Sequence, residues 1–369
     1  MLVTGLNTRS FRNLADGELA FGAGLTVVHG ANGTGKTNLL ESLFFGLTGR
    51  SCRTRREREM IAFGDSLARS EVELKPDSDA IEPGEPFTMR ASISTSEGRH
   101  RRVDGRELGA EDDRRRPALS VFMPDRLALV KGPPGPRRAH LDRLTAALWP
   151  ARKELRSSYN RALAQRNALL GRTQAGAGAS GLDAWDRALA EAAAPLALAR
   201  AEAAAALREP FADAARTLGL EGDAELSYRP QTEALDVAEI AAELGRRRAG
   251  DTERGYTVWG PHRDEVVLAH RGRTLRRYGS QGQQRLGLLA LLFAERQALR
   301  AARRAMPLML LDDVMSELDP ERRCRLAELL GQGGQALITT TESDQVPGAE
   351  RHRRLLMSAG SIQLGGAEA

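Results

Sequence analysis

The stretch His29–Ser42 reads HGANGTGKTNLLES. Within it Gly30, Ala31, Asn32, Gly33, Thr34, Gly35, Lys36 and Thr37 match the pattern G-x-x-x-x-G-K-[ST]. These residue types in this order suit the binding of a nucleoside triphosphate. Gly30, Gly33 and Gly35 allow backbone dihedrals and a close approach that a Cβ would forbid, so successive N–H groups can turn toward phosphate oxygens. Lys36 adds a mobile cation. The Thr37 hydroxyl suits one place on an octahedral Mg²⁺ whose other ligands are phosphate oxygens and water. An apolar run, LTVVH, precedes the loop and a helix-favouring run, TNLLESLFFGL, follows it. That context separates a phosphate cradle from a glycine-rich turn that matches by chance, and the helix N-terminus adds its partial positive charge.

Such a cradle needs an acidic group at the end of a neighbouring buried strand. The run LMLLDD supplies it, with Asp312 as the Mg²⁺-side carboxylate and Asp313 as the group that orients and polarises attacking water. Read alone, an aspartate after a core strand is an ordinary helix N-cap; paired with Lys36 it becomes a metal ligand. Catalysis is therefore assigned to Lys36 and Asp313, and metal binding to Thr37 and Asp312. YGSQGQQR (Tyr278–Arg285) sets Ser280, Gly282 and Gln283 ahead of a long helical run, and SELD (Ser316–Asp319) follows the acidic pair. Taken singly, the first reads as an N-cap and the second as part of a capping box.

Lys36 and Asp312 stand near opposite ends of the chain, so two separated segments must come together in one nucleotide-binding fold. LVTGLN, GELAFG and LTVVHG read as strands, a helix is predicted from Lys36 to about Thr48, and RSEVELK, FTMRASIST and RHRRVDGREL alternate as strands do. From about Pro136 alanine, leucine and arginine dominate. RRAHLDRLTAALW, ARKELRSSYNRALAQRNALL, the run from Gly181 to Gly219 and DVAEIAAELGRRRAG predict helices, with GRTQAGAGASG as a flexible connection. Pro195 argues against one continuous rod. Strand texture returns with GYTVWG, DEVVLAH and RTLRRYG, the last two joined by the turn HRGR. The helix QQRLGLLALLFAERQALRAARR, the strand PLMLLDD, the helix PERRCRLAELLGQG and the strand QALITTT complete the pattern. Unbroken apolar strands alternating with helices indicate an α/β fold with a parallel sheet covered on both faces. The expected organisation is a first half of an ATPase domain over 1–125, an inserted, mainly helical domain over 126–250, and the second half over 251–369.

At 369 residues and 41% hydrophobic content the chain can bury a substantial core. It shows no signal-peptide succession and no apolar run near the roughly 18 residues of a membrane span, so a cytoplasmic protein without a membrane partner is expected. Cys52 and Cys324 lack metal-site spacing and read as free thiols. The net charge of +5 favours an anionic partner, although an excess of arginine and alanine over lysine is also what GC-rich coding gives. Arg50, Arg53, Arg55, Arg56 and Arg58 follow the glycine-loop helix, and Arg99, Arg101, Arg102 and Arg106 lie on a later hairpin. Of these, Arg53, Arg55, Arg56, Arg101 and Arg102 are the candidate contacts to nucleic-acid phosphates, against the alternative of a solvated face. Only 4% of residues are aromatic, which argues against a stacking platform for single strands and favours duplex DNA.

The order of these motifs resembles the ATP-binding-cassette (ABC) superfamily in its chromosome-associated branch. Nearly the whole chain is similar to the RecF family of bacterial DNA repair: LNTRSFRNL, GANGTGKTNLLESL, MPDRLALVKGPPGPRRAHLD (Met123–Asp142), GPHRDEV (Gly260–Val266), the Ser280 stretch and LLDDVMSELD. The resemblance implies an ABC-type fold and a weak, DNA-stimulated ATPase using ATP and Mg²⁺. It implies a homodimer formed on ATP, binding to duplex DNA at gap junctions, weaker binding to single strands, and action with RecR and RecO in loading RecA. It further implies that Ser280, Gly282 and Gln283 bind in trans the γ-phosphate held by the other subunit, that SELD is the D-loop, and that one of Thr339 to Thr341 takes the place of a switch histidine. The paired aspartates are usual in the RecF family, whereas other cassette ATPases place glutamate second. Two further readings are a transporter's ATPase subunit and a DNA-binding scaffold in which ATP is only structural.

Overall fold

In a computed structural model of the chain, residues 1–54, 56–76, 85–109, 112–176, 180–231, 236–303 and 306–364 are described. The chain divides into two compact units, one of Met1–Arg126 with Leu299–Ala369 and one of Leu127–Ala298.

Strands β1 (Leu2–Arg9), β2 (Gly17–Ala20) and β3 (Leu25–His29) lead to helix α1 (Lys36–Thr48), and β4 (Leu67–Lys75), β5 (Phe87–Ser94), β6 (Gly98–Val103) and β7 (Arg106–Glu107) follow. Helix α2 (Asp112–Arg115), strand β8 (Leu119–Phe122) and helices α3 (Ala128–Lys131), α4 (Pro134–Leu148), α5 (Leu155–Gln174) and α6 (Leu182–Thr217) come next. Beyond them run β9 (Ala224–Arg229), α7 (Val237–Arg254), β10 (Glu265–His270), β11 (Arg273–Thr274), α8 (Leu275–Tyr278) and α9 (Gln281–Arg303). The chain closes with β12 (Leu308–Leu311), α10 (Pro320–Gly331), β13 (Ala336–Thr340), β14 (Arg353–Ser358) and β15 (Ser361–Leu364).

The first unit holds two sheets. In the antiparallel one, ordered β2-β1-β4-β5-β6-β7, β5 buries Phe87, Met89, Ala91 and Ile93 and turns the intervening Thr88, Arg90, Ser92 and Ser94 outward. That alternation gives one face to the core and one to water. The second sheet is ordered β15-β14-β3-β13-β12-β8 and is parallel except for the β14–β15 hairpin. Its central strands LMLL and ALITT are buried at every position, as expected for a sheet covered on both faces. Helix α1 buries Leu39, Leu40, Leu43, Phe45 and Leu47 in the same apolar cluster as residues of both sheets. Each such side chain contributes about 1.5–3 kcal/mol.

The order β3-β13-β12 decides where chemistry can occur. The glycine loop leaves the end of β3 and the acidic pair leaves the end of β12, with β13 between them. All three strands run in parallel, so these groups meet at the carboxyl edge of the sheet, the usual ligand-binding edge of α/β folds.

In the second unit, β10 pairs with both β9 and β11. Residues 251–298 therefore group with the helices rather than with the C-terminal strands. Three expectations are corrected here. Helix α6 is continuous over 36 residues with Pro195 and Pro210 inside it. Each proline removes one helical hydrogen bond at a cost of about 3 kcal/mol, which burial of Leu189, Leu196, Leu207, Phe211 and a stripe of alanines offsets. GYTVWG is not a strand, because its backbone donors go to side chains: Thr257 N–H to Asn167 Oδ1 at 2.8 Å and Val258 N–H to Asp251 Oδ1 at 3.1 Å. RTLRRYG is a strand only over Arg273–Thr274 and then turns into α8.

GPHRDEV ties this unit together. The buried Asp264 carboxylate accepts from the Tyr228 hydroxyl, from Gln231 N–H at 2.8 Å and from Arg200 Nη1 at 3.0 Å, and its own carbonyl accepts from Arg138 at 2.9 Å. His262 donates from Nε2 to the Thr257 carbonyl at 3.0 Å and accepts at Nδ1 from the Tyr159 hydroxyl at 2.6 Å. Burial lowers the His262 pKa to about 4, so the ring is neutral at physiological pH. A second buried cation, Arg166, reaches Asp186, Asp251 and Thr257, each at 2.7 Å.

Candidate nucleotide site

The cradle is set by the chain's own crowding. Gly30 has φ +154°, and a Cβ there would lie 2.2 Å from the Met357 carbonyl oxygen. Gly35 has φ +110°, and a Cβ there would lie 2.9 Å from Asn13 Oδ1. Only glycine fits both positions. Thr34 Oγ1 donates to the Ala31 carbonyl at 2.8 Å, and Gly360 N–H donates to the Thr34 carbonyl at 2.9 Å, so the β14–β15 turn backs the loop. Helix α1 starts at Gly35 with no side-chain cap and no acidic residue in its first turn. Its first N–H groups and dipole thus face the loop unneutralised, which is an anion site.

Lys36 is buried, and its Nζ donates to the carbonyls of Gly30 at 2.6 Å and Ala31 at 2.9 Å. Burial lowers its pKa, against the opposing charges of Asp313 and Asp312. Thr37 Oγ1 lies 2.9 Å from each oxygen of the Asp312 carboxylate, and Thr339 Oγ1 donates to Asp312 Oδ1 at 2.7 Å. Burial raises the Asp312 pKa, while the two hydroxyl bonds stabilise the anion and the neighbouring Asp313 charge opposes it.

Asp313 has the marks of a functional residue. Its φ is +48°, a left-handed conformation that a non-glycine residue adopts at a cost. The conformation is held by its N–H, which donates to the Thr339 carbonyl at 3.2 Å and to Thr339 Oγ1 at 3.0 Å, and by Ser316, whose hydroxyl donates to the Asp313 carbonyl at 2.9 Å. Its carboxylate Oδ1 is buried with no hydrogen-bond partner. A lone acceptor beside a lysine and a phosphate cradle suits a water or a metal-bound ligand.

The oxygen donors fit Mg²⁺ on a triphosphate: one hydroxyl and one carboxylate already in contact, with room for phosphate oxygens to supply the rest. No group of three or more His, Cys, Asp or Glu residues suited to a metal occurs among the described residues, so a metal would need such external ligands. Of the three threonines left open by the sequence, Thr339 touches the acidic pair. Thr340 Oγ1 instead donates to Gln345 at 2.7 Å, and the Thr341 carbonyl accepts from Gly30 N–H at 3.3 Å.

Ser280 is exposed at the start of α9. Its N–H donates to Gln283 Oε1 at 2.9 Å, and its Oγ accepts from Gln283 N–H at 3.2 Å, a reciprocal capping box. This bond uses the oxygen of Ser280 and leaves its proton free to donate elsewhere. A Cβ at Gly282 would meet nothing within 4 Å, so the fold of this chain does not demand glycine there. In the SELD stretch Asp319 caps α10 by accepting from Arg322 N–H at 2.9 Å.

The arginines divide. Arg53 reaches Asn38 at 2.8 Å and the fully buried Glu41 at 3.4 Å, and Arg101 donates to the Leu47 carbonyl at the end of α1 at 3.1 Å. Both brace the P-loop helix. Arg56 and Arg102 are exposed, and Arg55 lies outside the described residues. Sequence reasoning missed Glu41, which also binds Arg12 at 3.0 Å, and Asn13, whose Nδ2 donates to the Gly33 carbonyl at 3.3 Å. It also missed the β14–β15 hairpin, whose signal is a Gly-containing turn between two alternating runs in LLMSAGSIQL.

Comparisons with known proteins bear on the family and the fold. The family described as RecF/RecN/SMC N terminal domain matches residues 2–363. The DNA replication and repair protein RecF of Anaeromyxobacter dehalogenans is 40% identical over 93% of each chain. Among solved structures, the recombination mediator protein RecF-ATPrS in the RecFOR pathway superposes with a TM-score of 0.85 at 25% identity, covering 99% of this chain and 98% of that one. An Smc head bound to the C-winged helix domain of ScpA superposes at 0.61 with 16% identity, covering 100% and 98%, a likeness of fold alone.

Proposed function

The chain belongs to the RecF family within the RecF/RecN/SMC group and has its ABC-type ATPase fold, and on that premise we propose that it is an ATP-gated DNA clamp of gap repair. ATP closes a homodimer around duplex DNA beside a single-stranded gap, and slow, DNA-stimulated hydrolysis reopens it. The observation that carries this reading is the meeting of Lys36, Thr37, Asp312, Asp313 and Thr339 at one edge of the parallel sheet, with the lone Asp313 acceptor among them.

Each residue has a task. The loop N–H groups and Lys36 bind the β- and γ-phosphates. Thr37 and Asp312 would hold Mg²⁺, which when bound neutralises charge on the phosphate oxygens. Asp313 orients the attacking water and holds its proton at Oδ1, and Thr339 fixes the Asp312 carboxylate and the Asp313 backbone. The Ser280 hydroxyl donates to the γ-phosphate gripped by the other protomer, and the open space over Gly282 lets the partner's loop approach. The likeness to a mediator solved in the RecFOR pathway supports RecR and RecO as partners, and RecA loading is the outcome that the family resemblance implies.

The test is DNA binding of the intact protein against salt with ATP, with ADP and with neither. The expected result is an ATP-specific gain with a steep salt slope; equal binding in all three conditions overturns the clamp.

A further inference from the structure

Arg53 and Arg101 are spent on bracing α1, and Arg99 is paired with Glu57 at 2.5 Å. The outer face of the antiparallel sheet offers a different set of cations. Register places Arg9 of β1 opposite Arg69 of β4, Arg69 opposite Ser92 of β5, and Ser92 opposite His100 of β6. Residues opposite one another share a face, so these four form one row across four strands. They lie on the side away from α1, because Ser70 next to Arg69 donates its hydroxyl to the Ser42 carbonyl of α1 at 2.7 Å.

Like charges placed directly opposite on a sheet destabilise it. Among the described residues neither Arg9 nor Arg69 meets a carboxylate, and the Arg69 Nε is buried without a hydrogen-bond acceptor. His100 has only Glu97, at 3.9 Å. The adjacent row shows the contrast: Asn7, Glu71, Arg90 and Arg102 lie opposite one another in turn, and Glu71 neutralises Arg90 at 2.5 Å. The first row is thus cationic and uncompensated, with Arg9 and His100 exposed and Arg69 and Ser92 half-buried, which fits a polyanion.

Where β1 ends and β4 begins, a turn beside Arg9 and Arg69 carries an aromatic ring. Ala62 N–H donates to the carbonyl of Ser10, the residue after Arg9, at 2.9 Å. Asp65 N–H closes a turn on the Ala62 carbonyl at 3.1 Å, with Gly64 at φ +90°, and Thr95 N–H donates to the Ser66 carbonyl at 2.9 Å. The turn is therefore pinned on both sides, and it presents Phe63 with a relative exposure of 108%. A rigid turn that holds a whole phenyl ring in water has no use for it in its own core. Exposed Leu67 follows the turn and Arg69 stands two residues beyond it on the same strand, so the ring belongs to the neighbourhood of the cationic row, where a flat π-face bounded by phosphates suits it.

We propose that this row and the Phe63 turn are a binding surface for the junction of duplex and single-stranded DNA. Arg9 and Arg69 take backbone phosphates of the duplex, with Ser92 and His100 beside them. The Phe63 ring stacks on the base pair where the duplex ends, a face that continuous duplex does not offer. The inference rests on the DNA-clamp reading and adds to it the surface and the basis of junction preference.

The test uses the full chain with ATP and Mg²⁺ and two probes, a closed circular duplex and the same circle with one single-stranded gap, titrated at several salt concentrations. Arg9→Gln with Arg69→Gln weakens binding to both circles by about tenfold or more and lowers the salt slope by about 1 to 2, while Arg9→Lys with Arg69→Lys retains most of both. Phe63→Ala leaves the closed circle unaffected and removes the preference for the gap. Binding of a fluorescent ATP analogue and ATP-dependent dimerisation, unchanged in all three, show that the variants are folded. If the wild type prefers the gap and the glutamine and alanine variants bind as it does, the surface is rejected and the clamp survives. If Phe63→Ala spares DNA binding but abolishes capture of RecR, the ring belongs to a protein interface and the proposal falls. A wild type that binds neither circle overturns the clamp itself.

Discussion

Asp313 and His262 show how the same physics serves two ends. Asp313 keeps a strained backbone and a lone buried oxygen, the state of a group held ready for a reactant. Asp313→Asn should retain ATP binding and ATP-dependent dimerisation but lose about 100-fold or more in hydrolysis, read by phosphate release. Lys36→Met should weaken ATP itself by roughly 10- to 100-fold in equilibrium titration, since it removes a charged donor to phosphate. DNA release unchanged in both variants would favour a scaffold with structural ATP. His262, by contrast, is fully partnered and serves stability. Its pKa is about 4 in the fold against 6.5 for an ordinary histidine, so above pH 6.5 it is neutral in both states. As pH falls through 6.5 the unfolded chain takes up the proton first, and up to about 3 kcal/mol of stability is lost by pH 4. Burial raises the Asp264 pKa, which acts in the opposite sense at the acid end. Denaturant unfolding of the wild type and His262→Gln from pH 8 to pH 5 isolates the histidine: the wild type should lose more stability than the variant.

At the scale of elements, Ser280 separates a structural role from a functional one. As a cap it is worth about 1 kcal/mol, so Ser280→Ala should lower stability by that amount and no more. Loss of ATP-dependent dimerisation in the same folded variant, seen by light scattering, would mark the second role. Asp264 is the reverse case. Asp264→Ala strands buried Arg200 and Tyr228 and should cost about 3–5 kcal/mol in denaturant unfolding. Legibility in the sequence followed the same division. Helix α1 occupies Lys36–Thr48 as predicted, and the apolar strands around it were readable, because local pattern and burial agree there. GYTVWG deceived because β-propensity was overruled by Asp251, at the end of the preceding helix, and by Asn167, 90 residues away on α5. Pro195 deceived because tertiary burial outweighed a local defect. In the site, the glycine loop and acidic pair were legible as motifs. The choice of Thr339 over its neighbours, and the commitment of Arg53 to Glu41, depend on contacts that no spacing reveals.

For the whole molecule, family, fold and nucleotide site point to a chain whose function lies in association. Net charge alone would place an anion anywhere on the surface. The uncompensated row of Arg9 and Arg69 confines it to one face of one sheet. Helix α9 carries Ser280 exposed at its start, available to a second copy. The central claim is that two copies sandwich nucleotide, each lending its Ser280 loop to the triphosphate on the other. Sedimentation velocity of the wild type and of Ser280→Arg, each with ATP and Mg²⁺, with ADP and with neither, tests it most directly. The account predicts an ATP-specific doubling of mass for the wild type and none for Ser280→Arg, although that variant still binds ATP. A wild type whose mass is unchanged by saturating ATP, or a Ser280→Arg variant that dimerises like it, would contradict the account.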